Sequence, residues 1–525
     1  MSTPVAAATV KAWLSEPGEL AFMDVREAGQ FGEGHPFFAV PVPFSRFEQA
    51  LPALAPNPAV RLVVCDAGDG VAEQAAAGAE ALGYGRVYVL TGGIAAWRDA
   101  GFTLYAGVNL PSKTFGELIE QASHTPRLSP RAVAALRASG ANVVIIDGRP
   151  FTEYRKMSIP GGICCPNGEM ALRIRDLVPD PATTIVVNCA GRTRSIIGAE
   201  TLRALGLPNP VYALENGTQG WFLAGLQLEH GADRRYPDAA RSGADQAGPA
   251  RAFAARHGAR HVSAAEAHGW LQDITRTTML LDVRTAEEVA AHAVPGFVHA
   301  PGGQLIQATD QWVGVKGSRL VLLDAEGVRA PIVAGWLRRL GHEACWLEGG
   351  IAAAAARAWT RPVAMPAPMR TVTARDIAAD AAAGRTDVID LRSSTSYRAG
   401  HAANARWSIR PRLAGAIRDP AQPVVLIADE PGIAALAAIT LDEAGVGGVS
   451  MLAGGHAAWV AAGLPVEASP TLPADADCID YLFFVHDRHD GNAQAARRYL
   501  AWETGLLAQL DAQERGVFRI GPAGP

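Results

Sequence analysis

The sequence predicts an α/β protein: four tandem copies of one unit, each a small parallel sheet flanked by helices, followed by a short helical C-terminal tail. Three observations predict it. A strand-like apolar run ending in Asp-x-Arg occurs at Asp24-Val25-Arg26, Asp147-Gly148-Arg149, Asp282-Val283-Arg284 and Asp390-Leu391-Arg392. Each is followed by a Gly-containing turn (Gly92-Gly93, Asn216-Gly217, Gly349-Gly350, Gly454-Gly455), the second Gly lying 69, 70, 68 and 65 residues beyond the Asp. Alone, either motif is a turn with a surface ion pair; four in matched register are an internal repeat. Within a unit, short apolar strands alternate with helical stretches, which implies a parallel sheet covered on both faces.

Unit one (1–107) places strands at Ala21-Phe22-Met23, Arg61-Leu62-Val63-Val64 and Val87-Tyr88-Val89-Leu90, with a helix from Glu73 to Leu82. A Trp follows the second Gly by four residues in three units (Trp97, Trp221, Trp459), with Ala354 in the other. Units two (108–235), three (251–366) and four (367–470) repeat the plan. Polar or Gly/Pro-rich connectors are read at 228–250, Pro362 to Pro368 and Ser469 to Ala476. The tail, 471–525, carries Tyr481-Leu482-Phe483-Phe484 and a helical pattern from Asn492 to Asp511. It is expected to serve packing or oligomer formation, with no chemistry assigned.

A chain of 525 residues is expected to hold about three to five domains. With 49% hydrophobic and 19% charged residues it is a packed globular protein. A net charge of −5 gives no reason to expect nucleic acid as a partner. Six cysteines without regular spacing make neither a disulfide framework nor a zinc site. No cofactor or metal is expected. The N-terminus has no signal-peptide pattern and no apolar run is long enough to span a membrane, so cytoplasm is the default and no membrane partner is expected. An oligomer is left open.

The chemistry concentrates in Val186-Val187-Asn188-Cys189-Ala190-Gly191-Arg192-Thr193-Arg194-Ser195. The β-branched run reads as a buried strand and the residues after Ser195 as a helix, with a tight loop between them. In such sheets ligands bind beyond the carboxyl ends of the strands. A thiol there faces successive backbone N–H groups and a helix N-terminus, surroundings that favour the thiolate. Cys189 is the candidate nucleophile.

The four units resemble rhodanese (sulfurtransferase) domains over residues 5–470. The residues that carry the resemblance are the Asp-x-Arg opening, the loop of Cys189, the closing Gly-Gly-x-x-x-Trp turn, and a Gly-His or Pro-Gly element between them. That element appears as Gly34-His35, Ile159-Pro160-Gly161-Gly162, Val294-Pro295-Gly296 and Gly400-His401. The whole chain resembles bacterial four-domain members of the family. The resemblance implies that Cys189 carries a persulfide, that Ala190, Gly191, Arg192, Thr193, Arg194 and Ser195 form the substrate-binding loop, and that sulfane sulfur moves from thiosulfate or a related donor to a thiol or cyanide. Arg192 and Arg194 would hold the anionic part of the donor; Arg194 could instead tie the loop to the sheet. The Cys-x4-Arg loop is one residue shorter than the Cys-x5-Arg loop of related phosphatases and arsenate reductases. It departs from the commonest family pattern in placing Gly191, rather than the next residue, as its glycine.

Aligned on their strands, the other loops place Asp66 in unit one, Asp324 in unit three, and Ala428 or Asp429 in unit four where Cys189 stands in unit two. Cys65 falls one residue early, and a one-residue offset turns a strand side chain to the other face. One active unit in four is the expectation, although Gly327 and Arg329 of unit three could still hold an anion. Arg149 reads as structural, because its motif persists in units without the cysteine. Arg173 and Arg175 line the mouth or lie on a solvated helix face, the latter preferred. Cys164 or Cys165 would resolve the persulfide, or both are small buried residues; Cys345 and Cys478 have no visible partner. Besides a sulfurtransferase, a persulfide carrier or sensor acting with a protein partner fits the same loop, and a phosphatase is disfavoured by loop length.

Overall fold

The computed structural model describes residues 2–238, 243–359, 369–483 and 492–521. The connector from Pro362 to Pro368, residues 239–242 of the first connector, and Phe484 lie outside them. Four five-stranded sheets follow one another, every pair within them parallel, and each unit uses its strands in the order first-fifth-fourth-second-third. In unit two these are Arg127–Leu128, Val211–Leu214, Thr184–Asn188, Val143–Asp147 and Ile163–Cys164. In unit one the central strands are Leu20–Asp24 and Arg61–Cys65, a residue or two longer than the sequence suggested, and Val87–Leu90 is as expected. The helix expected from Glu73 spans Val71–Ala81. The opening strand Thr3–Val5 and the edge strand Val40–Pro41 are too short to produce a periodic signal. Unit four adds a small antiparallel pair, His401–Ala402 with Val466–Glu467.

The second strand of every unit ends on the Asp of the Asp-x-Arg motif, and the reason lies in its arginine. Arg149 donates from Nε and Nη2 to the two Asp147 carboxylate oxygens at 2.9 and 2.8 Å, and from Nη2 to the Met157 carbonyl at 2.7 Å. Arg26, Arg284 and Arg392 fork onto their aspartates in the same way and reach the carbonyls of Gly34, His292 and Gly400. In each case the carbonyl is eight residues farther along the chain. The pair thus pins the strand end to the segment leading into the edge strand, a structural role present in all four units.

Units one, two and three and the tail share one hydrophobic cluster, which includes Phe37 and Tyr105, Ile146 and Val187, Leu281 and Leu322, and Phe518. Units two and three meet through the Asn167–Leu177 and Gly302–Gln307 helices. A Cβ on Gly168 would lie 2.5 Å from the Gly303 nitrogen, and one on Gly303 2.8 Å from the Gly168 nitrogen, so backbone packs directly on backbone. Unit four docks on unit one through Arg410, whose guanidinium pairs with Glu48 at 2.5 and 2.8 Å.

The tail helix runs Ala493–Gly505 and is capped by Asn492, whose side chain accepts from the Ala495 N–H at 3.0 Å. It does not continue to Asp511. A 3-10 turn at Leu506–Ala508 follows, and Asp511 opens a separate helix, Ala512–Gly516, by a reciprocal cap with Glu514. Trp502 donates to the Ala106 carbonyl at 2.8 Å, Tyr105 to the Gln509 carbonyl at 2.9 Å, and Phe518 packs on Phe37 and Phe115. The tail is therefore a wedge among the first three units. Truncating Phe518 to alanine is expected to destabilise them by about 3 kcal/mol, the usual cost of a buried Phe. Calorimetry should show their unfolding at lower temperature, and an unchanged midpoint would remove the tail from the shared core.

Candidate functional site

The Thr184–Asn188 strand is buried from its second residue, as its β-branched sequence requires, and delivers the chain to the loop at the sheet's carboxyl edge. Asn188 donates to Asp147 Oδ2 at 2.7 Å and to Thr218 Oγ1 at 3.1 Å, locking the strand end to its neighbours. The loop leads into the Thr193–Ala204 helix. The closing turn lies over it: Thr218 N–H donates to the Cys189 carbonyl at 2.7 Å and Gln219 N–H to the Ala190 carbonyl at 3.1 Å. Asn216 and Gly217 take φ of 58° and 56°. A Cβ on Gly217 would stand 2.3 Å from the Cys189 carbonyl oxygen, so only glycine fits.

The same contact recurs in the sister units and settles their alignment. A Cβ on Gly93, Gly350 or Gly455 would meet the carbonyl oxygen of Asp66, Asp324 or Ala428 at 2.6, 2.5 and 2.7 Å. Ala428, rather than Asp429, therefore takes the place of Cys189 in unit four. Cys65 pairs with Asp24 as Asn188 pairs with Asp147, so it is the counterpart of Asn188. It is fully buried, and burial, with Asp24 adding to it, pushes its thiol well above the usual range.

The aspartates reveal what the loop holds. The Asp66 carboxylate accepts from the N–H groups of Gly68, Gly70 and Ala72 at 2.8, 3.0 and 3.0 Å. Asp324 accepts from Gly327, Val328 and Ala330 at 3.1, 2.9 and 3.1 Å. Both of these loops thus fold round a negative charge of their own. Counted from Cys189, the groups matching those of unit three are the N–H of Arg192, Thr193 and Ser195, at a helix start where N–H groups lack intrahelical acceptors. In unit three the arginine is also engaged: Arg329 is buried and pairs with Glu169, Glu288 and Glu326 at 2.9, 2.6 and 2.8 Å. Asp324 and these three carboxylates occupy the features that suggested an anion site there.

Cys189 is 2% exposed, and Ser195 donates from Oγ to its Sγ at 3.1 Å. Arg194 sends Nη1 and Nη2 to the two Glu153 oxygens, both at 2.8 Å, with Gln304 of unit three 3.5 Å from Nη1. Burial works against its charge, but Glu153 outweighs it and Cys189 adds to the effect, so its pKa is raised and the thiol lies within electrostatic reach of the guanidinium. Arg192 points to the Leu110–Ser123 helix, donating to Glu117 at 2.7 and 2.9 Å and pairing with Glu120. Thr193 donates from Oγ1 to Glu503 Oε1 at 2.9 Å, and Lys113 pairs with the same carboxylate at 3.2 Å. Gly191 faces the tail: a Cβ there would lie 2.8 Å from Glu503 Oε2 and 3.3 Å from Tyr499.

The structure brings Cys189, Arg194 and Ser195 together, while Arg192 is turned to two carboxylates on a neighbouring helix. Glu117, Glu120, Lys113 and Glu503 left no signal in the sequence, since nothing in local spacing connects the tail to a loop 310 residues away. Arg173 is not solvated. It is buried, bonded to Glu169 at 3.2 Å and to the carbonyls of Pro237 and Asp238, whereas Arg175 is exposed. Cys164 and Cys165 are both buried. Burial, then Asp147, pushes Cys164 up to about 12, and burial, then Glu169, raises Cys165 well above the ordinary thiol range. Both shifts oppose the thiolate that a resolving role needs. Among the described residues no helix is long and apolar enough to cross a membrane.

A family model described as the rhodanese-like domain matches residues 6–100, 129–224, 263–357 and 373–462. A crystal structure of a thiosulfate sulfurtransferase from Pseudomonas aeruginosa is 40% identical to the chain, covering 98% of it and 99% of that protein, with a TM-score of 0.90. An HTH-type transcriptional regulator, Rv0324, from Mycobacterium tuberculosis (strain ATCC 25618 / H37Rv) is 34% identical over 103 residues, 19% of this chain. The match spans only 44% of that regulator.

The turn over the loop supplies a direct check. Gly217→Ala forces a side chain into a left-handed turn and against the Cys189 carbonyl, an expected cost of at least about 2 kcal/mol. Denaturant unfolding should show that loss, and an alanine variant as stable as the parent would refute the packing described.

Proposed function

We propose, since the chain belongs to the rhodanese family, that it is a sulfurtransferase working through unit two, with Cys189 as its nucleophile. One observation carries the reading. At the point where the loops of units one and three bind their own carboxylate on three N–H groups, unit two instead presents a sulfur atom. An anion formed on that sulfur would receive the same stabilisation.

The reaction is a double displacement. The Cys189 thiolate attacks the outer sulfur of thiosulfate or a related donor, the S–S bond of the donor breaks, and sulfite leaves with the electron pair. The Cys189 persulfide then rests with its terminal sulfur toward the N–H groups of Arg192, Thr193 and Ser195, and an acceptor thiol or cyanide takes that sulfur and regenerates the thiolate. Ser195 donates to the cysteine sulfur. Arg194, held by Glu153, directs its remaining N–H groups toward the donor, while Ala190 and Gly191 keep the loop narrow. Arg192 serves the loop by its side chain's ion pairs and the substrate by its backbone N–H. Small-molecule donor and acceptor are the partners this requires, and a cytoplasmic setting, where thiol acceptors are abundant, suits the exchange.

Intact-mass measurement after treatment with excess thiosulfate tests the assignment. The parent and Cys65→Ser should each gain one sulfur, and Cys189→Ser none. Sulfur gained by Cys189→Ser, or lost sulfur transfer in Cys65→Ser alone, would overturn it.

A further inference from the structure

The loop that should attract an anionic donor is hemmed by carboxylates. Arg194 is bidentate to Glu153, and Arg192 is bidentate to Glu117 and paired again with Glu120. The third cation, Lys113, is matched by Glu503, which also takes the Thr193 hydroxyl. Among the described residues in contact with this loop, the carboxylates outnumber the cations. Glu503 is fully buried, and its Oε2 has no hydrogen-bond partner while lying against Gly191. That oxygen brings a buried carboxylate up to the loop, close enough that a side chain at position 191 would have to displace it.

Backbone N–H groups can hold one negative sulfur, but they do not offset a second charge beside it. Thiosulfate carries two negative charges on one small ion, so its sulfonate end would have to enter this acidic ring. An organic hydropersulfide carries at most one charge, on the sulfur that the N–H groups receive.

We infer that the site is built for a donor with no more than one negative charge at its sulfane sulfur, an organic hydropersulfide in preference to thiosulfate, and that Glu153 and Glu503 set this preference. The inference rests on the sulfurtransferase reading above. The step balances as Cys189–S⁻ plus R–S–SH giving Cys189–S–SH plus R–S⁻: the Cys189–sulfur bond forms, the donor's S–S bond breaks, the electron pair departs on R–S⁻, and the proton stays on the transferred sulfur.

The test compares thiosulfate, 2-hydroxyethyl hydropersulfide, and methanethiosulfonate, which replaces one charged oxygen of thiosulfate by a methyl group. Persulfide formation on the full chain is followed by mass, and each rate is divided by that donor's rate with free cysteine. The two donors that carry no more than one charge are expected to lead thiosulfate by about tenfold, the scale of one charge interaction near a protein surface. Raising ionic strength from about 0.02 to 0.2 M should speed thiosulfate most, because repulsion is screened. Glu153→Gln and Glu503→Gln should each narrow the gap between thiosulfate and methanethiosulfonate. Thiosulfate matching or beating methanethiosulfonate, slowing with salt, or a gap unmoved in both variants would overturn the inference while leaving Cys189 as a sulfur acceptor. If Cys189 takes sulfur from none of the three, the sulfurtransferase reading falls and this one with it.

Discussion

Everything in the site depends on a short strand-to-helix loop whose N–H groups converge on one point and need a negative charge there. Left empty and buried, such donors would cost free energy comparable to lost hydrogen bonds. Units one and three meet the need internally with Asp66 and Asp324, each accepting three N–H bonds. Unit four escapes differently: Ala428 stands at that position, and Pro431 opens its helix, removing one N–H from the first turn. Unit two offers neither a carboxylate nor a proline but a cysteine, whose sulfur accepts from the Ser195 hydroxyl.

The units without a cysteine in that loop are packed into the rest of the structure at their borders. Units two and three face each other through equivalent helices, and the exchange is reciprocal. Glu169 of unit two reaches Arg329, and Gln304, the counterpart of Glu169 in unit three, reaches Arg194. The direct contact of Gly168 with Gly303 makes that approach close. The tail then closes the arrangement, its helix laid against the loop through Glu503 and its end buried with Phe37 and Phe115. A unit with Asp or Ala in place of the loop cysteine therefore still takes part in the shared packing.

Much of this was legible in the chain. The repeat could be read because Asp-x-Arg and the closing glycine are demanded by backbone geometry: one pins a strand end, the other passes within contact of a carbonyl. Cys65 could be set aside because a strand has a period of two, so one step of register separates Asn188's place from that of Cys189. What stayed hidden was contact between segments distant in sequence. Arg192 looked like a donor clamp because the partners that claim it, Glu117 and Glu120, lie on a helix in a separate stretch of chain. Arg173 looked solvated for the same reason, since two of its acceptors are carbonyls of a connector. The tail's role was illegible because a helix with Tyr499 and Glu503 on one face announces a packing surface without saying against what.

The ion pairs expose a tension built into the loop. An arginine brought out of water in so tight a turn needs a carboxylate, because burial of an unpaired charge costs several kcal/mol. Arg192 and Arg194 are both buried, and each has taken such a partner. The pairing that allows the arginines to brace the loop therefore also spends the positive potential that would draw a doubly charged donor. Geometry and attraction are set against each other here, and what the loop keeps free of ion pairs is its backbone N–H groups, which are polar without carrying net charge.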